Sequence, residues 1–309
     1  MKLTVIIPAL NESDNISPTI QEIIEIVTQI NDVQLELMVV DDHSTDDTFQ
    51  TVVNLSLPNV HCMRLNKRSG SHVAIRAALS VLKPELAFCI SADGQDDPSL
   101  LPEMIEQWKN GTQIVWGIRH KRDNESWYYQ FMAYSFYSIL NILAGDKNSN
   151  IDQSRADFFL LGKETIEGIN ACKEHHTNLF GLISWMGFTQ TSIPYKRRIR
   201  RYGKSKWGIL RLFHMAKIWI TAFSGLPLRL TSLLGLILSF SGFLYAIYLI
   251  YNKYFGDPAW GWSSMMVAIL VIGGIQLTML GVIGEYLWIN LEESRRRPLF
   301  FLEKRSDLK

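Results

Sequence analysis

The sequence predicts an α/β domain built on a largely parallel sheet, followed by a hairpin of two membrane-spanning helices. Three observations carry this reading. Short β-branched apolar runs alternate with helical patterns over residues 3–119. Polar clusters recur where those runs end. Residues 230–252 and 258–284 contain no charged side chain, and each stretch is long enough to cross a bilayer.

The elements follow in order. "LTVIIPA" (3–9) is a buried strand, closed by a polar turn over 11–15. Ile16, Ile20, Ile23, Ile24 and Val27 then recur at helical spacing. "LELMVV" (35–40) is a second strand ending at Asp41 and Asp42. "STDDTFQTVVNL" (44–55) opens with capping residues and predicts a helix. "VHCMRLN" (60–66), "LAFCIS" (86–91) and "QIVWGIR" (113–119) read as strands, with helices over 71–82 and 100–109 between them. In such sheets ligands bind beyond the carboxyl ends of the strands. Asn11-Glu12, Asp41-Asp42, Asp93-Gly94-Gln95 and Arg119 lie at those ends, so a site is expected there.

The two apolar stretches are joined by "KYFGD" (253–257), room for a tight hairpin only. Gly273, Gly274, Gly281 and Gly284 suit close helix contact. Arg211, Lys217 and Arg229 precede the hairpin and Arg295–Arg297 follow it, which places both outer ends in the cytosol. Lys2 precedes a run broken by Asn11 and Glu12, unlike a signal peptide, so the first domain is expected to stay cytosolic too.

The formal charge of +1 conceals an asymmetry. Residues 1–118 hold 7 Lys/Arg against 16 Asp/Glu, a charge of −9; the remainder holds 24 against 14, a charge of +10. The two parts are expected to meet different partners. Cys62, Cys89 and Cys172 lack CxxC spacing and read as thiols in a reducing compartment. His43, His175 and His176 have no zinc-binding spacing. There is no Gly-x-Gly-x-x-Gly after the first strand and no Gly-Lys-Ser/Thr loop, which removes the main support for an oxidoreductase or a P-loop enzyme.

"IIPALNE" (6–12), "VVDDHSTDDT" (39–48), "ADGQDDP" (92–98) and "GIRHKRDNES" (117–126) resemble family 2 inverting glycosyltransferases of the Rossmann-like GT-A fold. "RADFFLL" (155–161), "FGLISWMGF" (180–188), "IPYKRRIRRYGKSKW" (193–207) and "GEYLWINLEESRRRP" (284–298) are similar to the polyprenyl-phosphate glycosyltransferases, relatives of dolichyl-phosphate mannose synthase with a C-terminal transmembrane hairpin. The resemblance covers nearly the whole chain. It implies hexosyl transfer from a nucleotide-sugar, by preference UDP-linked as with UDP-glucose, to undecaprenyl or another polyprenyl phosphate, for modification of lipopolysaccharide or another envelope glycan.

By the same resemblance Pro8, Leu10, Glu12, Asp41 and Asp42 hold the nucleoside of the donor. The loop at 91–97 matches a pattern of Asp-x-Asp followed by x-Gln that binds Mg²⁺ or Mn²⁺ on the donor diphosphate, where a hard cation neutralises the leaving group. Asp93 and Gln95 match as ligands; Ser91 stands where the first Asp is expected, and its hydroxyl can meet a ribose or a metal-bound water. Asp96 and Asp97 read instead as caps for the following helix. Arg200, Ser205 and Lys206 match Arg-x-x-Gly-x-Ser-Lys, and with Arg119 and Arg122 are expected around the phosphates of acceptor and donor. Asp157 matches a Gly-Asp-Phe segment, with Ala156 for Gly, that supplies the general base. A phosphate monoester is already mostly deprotonated at pH 7, so Asp157 has the alternative duty of orienting sugar or acceptor, or of serving as a buried acid paired with Arg155 or another Arg.

The expected organisation is a catalytic domain over 1–190, a basic acceptor segment with an interfacial helix over 191–229, the hairpin over 230–288 and a basic cytosolic tail over 289–309, all at a bacterial inner membrane. The expected partners are donor, polyprenyl phosphate and bilayer, with no nucleic acid; the resemblance also admits a homo-oligomer. A glycan-extending synthase would share fold and hairpin, but no Gln-x-x-Arg-Trp is present. A non-catalytic donor-binding protein is the third reading, carried by Ser91 alone.

Overall fold

The computed structural model describes residues 1–120, 156–175, 178–199, 226–255 and 261–306. Arg122, Arg200, Ser205, Lys206 and the expected interfacial helix lie outside these residues. The chain divides into two units, Met1–Ile209 with Pro298–Lys309, and Leu210–Arg297.

The first unit is a mixed eight-stranded sheet. Its N-terminal part contains β1 (Lys2–Ala9), α1 (Ser13–Thr28), β2 (Gln34–Asp41), α2 (Thr48–Asn54), β3 (Val60–Leu65), α3 (Ser71–Leu82) and β4 (Leu86–Cys89). A short 3₁₀ turn (Pro98–Leu100), α4 (Leu101–Lys109) and β5 (Ile114–Arg119) follow. After residue 155 come β6 (Ala156–Gly162), α5 (Lys163–Ala171), α6 (Leu179–Trp185) and β7 (Gln190–Tyr195), and near the C-terminus β8 (Leu302–Arg305). The strand order is β7-β5-β6-β4-β1-β2-β3-β8. β1, β2, β3 and β4 pair in parallel, as do β5 and β7.

Period-2 alternation sends successive side chains of each strand to opposite faces. Leu3, Val5 and Ile7 of β1 meet Ile16, Ile20 and Ile23 of α1 in one core. Ile6 of β1 joins Met38, Ala74, Ala77 and Ala78 in the other. β6 follows the same rule, with Phe158 and Leu160 on the first face and Phe159 and Leu161 on the second.

Two arrangements differ from the sequence expectation. β6 runs antiparallel between β4 and β5, so its first residues, Ala156 and Asp157, stand at the edge where the parallel strands end. The direction of a strand buried on both faces is not written in its apolar pattern. The C-terminal residues, expected to be a tail, instead supply β8, which pairs antiparallel with β3. This covers the otherwise open edge of that strand.

Gly117 of β5 faces Phe158: a Cβ there would lie 2.4 Å from the ring. Gly117→Ala must displace a fully buried aromatic side chain. It is expected to cost about 1–3 kcal/mol, read as a lowered midpoint of thermal unfolding.

The second unit holds α7 (Leu226–Phe255) and α8 (Trp262–Ser294). Leu230–Asn252 and Met265–Ser294 have mean hydropathies of 2.1 and 2.3 and are long and apolar enough to cross a membrane. Leu236, Phe240, Leu277 and Leu280 are among their exposed side chains. Among the described residues, a Cβ at Gly273, Gly274, Gly281 or Gly284 of α8, where close contact was expected, would meet nothing within 4 Å. The approach occurs instead at Gly235 of α7, where a Cβ would lie 3.5 Å from Met279.

Candidate active site

The loops after β1 and β2 are stapled together. Asn11 N donates to Ser44 Oγ (2.9 Å), Thr45 N to Asn11 Oδ1 (2.8 Å), Glu12 N to Thr48 Oγ1 (3.0 Å) and Ser13 N to Asp46 Oδ2 (3.2 Å). Burial raises the Asp46 carboxyl, but the hydrogen bonds from Thr48 and Ser13 outweigh it and hold the group below its usual range. Asn11 and His43 adopt positive φ (53° and 60°). Pro8, Leu10 and Glu12 are half-buried beside these loops, and Glu12 Oε2 accepts from Asn15 Nδ2 at 2.6 Å.

Asp41 and Asp42, expected at the nucleoside, are buried and hold groups of the neighbouring loops. Asp41 is 0% exposed; it accepts from Ser44 N (2.9 Å) and from Arg64 Nη1 (2.7 Å). The cause is register: Arg64 of β3 lies opposite Asp41 of β2, so the two side chains meet on one face. Arg64 also donates to Ser44 O and to Glu303 Oε2 of β8, each at 2.9 Å. Asp42 accepts from Ser69 N (2.6 Å) and Gly70 N (2.8 Å) at the start of α3. Burial pushes its carboxyl up, opposed by those two amides. These acids hold the loops of this sheet edge from within.

In the 91–97 loop, Asp93 Oδ1 accepts from Ser91 Oγ (2.9 Å) and Gln95 N (3.1 Å). Asp93 Oδ2 has no protein partner among the described residues. The Gln95 amide nitrogen faces Arg198 O at 3.4 Å, which leaves its carbonyl oxygen for another ligand. No group of three or more His, Cys, Asp or Glu residues that could hold a metal occurs among the described residues. One carboxylate oxygen and one amide oxygen suit a cation that takes its other ligands from a diphosphate and water.

Asp97 caps the 3₁₀ turn as expected, accepting from Ser99 N at 3.1 Å. Asp96 does not cap it. At 3% exposure it lies behind the loop, accepting from Ser91 N (3.1 Å), with Ser91 Oγ 2.5 Å from Oδ2 and the Tyr195 hydroxyl 3.1 Å from Oδ1. Tyr195 donates to Asp157 Oδ2 at 2.7 Å. The resulting chain is Asp93, Ser91, Asp96, Tyr195, Asp157. Its two hydroxyls carry one proton each for four oxygen–oxygen contacts. Burial, and then repulsion from Asp157 and Asp93 against the Ser91 hydrogen bonds, pushes the Asp96 carboxyl up to about 6. Burial and the two neighbouring acids raise the Tyr195 phenol far above its ordinary value, so it remains a donor.

Arg198 closes the loop from outside. It pairs with Glu22 and with Asp97 Oδ1 (2.7 Å), and its N donates to Gln95 O (2.9 Å). Arg119 ends β5, half-buried at the same edge. The sequence reading missed Asp96, Tyr195, Arg198 and Arg64 as parts of this edge. Asp96 lies inside the acidic loop, and Tyr195 and Arg198 lie inside the 193–207 segment that carries the resemblance; Arg64 had no local signal.

The glycosyl transferase family 2 model matches residues 4–165, and the GtrB C-terminal hairpin model matches residues 226–287. The first match takes in β1 to β6 and every acid of the chain just described. The chain belongs to glycosyl transferase family 2. Among its relatives in that family, the glycosyltransferase YkcC of Bacillus subtilis (strain 168) is 34% identical, covering 98% of this chain and 94% of the relative. The bactoprenol glucosyl transferase of Shigella phage SfX is 30% identical, covering 99% and 100%. The crystal structure of glucosyl-3-phosphoglycerate synthase from Mycobacterium tuberculosis, in complex with Mn²⁺, UDP and phosphoglyceric acid, shares the fold. Its TM-score is 0.52 at 17% identity, over 71% of this chain and 76% of that one. This family 2 glycosyltransferase thus joins a GT-A sheet to a hairpin of two apolar helices.

Proposed function

We propose that the protein transfers glucose from a nucleoside-diphosphate sugar, UDP-glucose by preference, to a polyprenyl phosphate at the cytosolic face of a bacterial inner membrane. The observation that carries this is the union, in one chain, of the family 2 site with the two-helix hairpin, an arrangement shared at full length with a bactoprenol glucosyl transferase. The hairpin fits an acceptor that never leaves the bilayer. The basic stretch at 196–206 fits its phosphate, which carries about −1.5 to −2 charges at neutral pH.

In this reading Pro8, Leu10 and Glu12 line the nucleoside end, with Asp41 and Asp42 holding the loops behind them. Asp93 and Gln95 would hold Mg²⁺ or Mn²⁺; a fold relative has been crystallised with Mn²⁺ and UDP. When bound, the ion neutralises charge on the departing diphosphate. An acceptor phosphate oxygen displaces that diphosphate at the anomeric carbon in one step, forming one C–O bond as the other breaks and inverting the centre. Arg119, Arg122, Arg200, Ser205 and Lys206 hold the phosphate groups of donor and acceptor. Asp157, at the same edge, orients the acceptor or the sugar and accepts whatever proton the phosphate still holds. The resulting lipid-linked sugar serves envelope glycan modification.

The test is transfer by the purified full-length chain in detergent, with undecaprenyl phosphate, Mg²⁺ or Mn²⁺ and a panel of nucleotide-sugars, read by mass spectrometry of the lipid. A single lipid-linked hexose is expected. A ladder of longer products would mark a glycan-extending synthase, and donor binding without turnover a non-catalytic protein.

A further inference from the structure

Asp157 and the 91–97 loop lie on separate elements, and the family motifs give no reason for the two to act together. The geometry between them points to one. We infer that Tyr195 is a positioning residue of the transfer reaction: its hydroxyl fixes the Asp157 carboxylate and ties it, through Asp96 and Ser91, to the loop that carries Asp93. This deepens the glycosyltransferase reading and rests on the role given there to Asp157.

Tyr195 ends β7, which lies beside β5 at the far side of the sheet from β4. Its ring is 4% exposed and packs edge-on against Phe158, with centroids 4.9 Å apart. That packing explains an aromatic residue, and phenylalanine would satisfy it. It does not explain the hydroxyl. The hydroxyl lies 2.7 Å from Asp157 Oδ2 and 3.1 Å from Asp96 Oδ1, so its single proton belongs to the shorter contact, toward Asp157. Asp96 is the fixed post on the other side, itself held by Ser91 N and Ser91 Oγ. Ser91 Oγ reaches on to Asp93 at 2.9 Å. Residues of β6, β7 and the loop after β4 are thereby held in one geometry, although Tyr195 and Asp96 are 99 positions apart.

A second tie runs parallel. Arg198, three residues beyond Tyr195, bonds Gln95 O, Asp97 and Glu22. The segment leading into the basic acceptor stretch is therefore seated on the donor loop. Arg198 fixes the loop's outer side; among the described residues Tyr195 is the one that hydrogen-bonds Asp157.

A purely structural tyrosine and a positioning tyrosine differ in what Tyr195→Phe changes. The variant keeps the ring and loses the tie. Small misplacement of a reacting group lowers the rate by up to about 100-fold. The expected result is a fall in kcat of about 10- to 100-fold at saturating donor and acceptor, with the donor KM and the calorimetric Kd for UDP within about 2-fold of wild type. In the double variant with Asp157→Asn, the rate is expected to be no lower than in Asp157→Asn alone, because both remove one unit.

A wild-type kcat in Tyr195→Phe, with only a lowered unfolding midpoint, overturns the inference and leaves the functional reading intact. So do strictly multiplicative losses in the double variant. Absence of any transfer by the wild-type chain overturns the functional reading, and the inference with it.

Discussion

Asp93→Ala is expected to lower cation-dependent transfer by about 10³-fold. Asp93 offers a carboxylate with one oxygen held in place and the other open. Ser91 Oγ and Gln95 N fix Oδ1, so the direction of Oδ2 is set before any ligand arrives. A hard cation aimed at a developing diphosphate charge is worth several kcal/mol, and about 4 kcal/mol corresponds to about 10³ in rate. Asp96 cannot substitute, because it lies buried behind Ser91 with both oxygens engaged. The check is a Mg²⁺ or Mn²⁺ titration of transfer by wild type and variant. A near-normal rate at moderate cation concentration would place the ion elsewhere. Ser91 also gains an explanation. A third acid there would set its charge against the sealed Asp96 carboxyl, whereas a hydroxyl bridges Asp93 and Asp96.

Arg64→Ala is expected to destabilise the first unit by about 3 kcal/mol, because it strands a buried charge. Asp41 is fully buried, and Arg64 is the guanidinium that meets it. The same substitution removes donors to Ser44 O and Glu303, loosening both the loop after β2 and the hold on β8. The measurement is thermal unfolding in detergent, with a fall in midpoint of about 5–10 °C expected. Adding Asp41→Asn to Arg64→Ala should recover part of the loss, since the stranded charge is then gone. A midpoint unchanged in Arg64→Ala would mean that water or another cation reaches Asp41.

Much of the fold was legible because its signals are local. The strand β1 and the helices α1 and α3 follow from residue spacing, and the acidic turns mark where strands stop. The hairpin follows from length and lack of charge. What stayed hidden depends on partners far away in the chain. β6 carries an apolar run that fits either direction, and only its neighbours β4 and β5 make it antiparallel. Asp41 was marked only by its place at a strand end; the register that sets Arg64 opposite it lies in another strand. Asp96 looked like a cap beside Asp97, and its burial comes from Tyr195, supplied by β7. The glycines of α8 carried a contact signal that the second unit uses elsewhere, at Gly235.

The placement of β8 bears on how the protein is made. Residues 302–305 are translated after both apolar helices, yet they pair with β3, near the start of the chain, and bring Glu303 to Arg64. An emerging N-terminal domain can fold as it leaves the ribosome. Here the strand that covers β3, and the Glu303 carboxylate that Arg64 meets, are made only after both apolar helices. The first unit thus closes this edge of its sheet only once the whole of the second unit has been synthesised, so its folding cannot finish while its N-terminal strands are the only ones made.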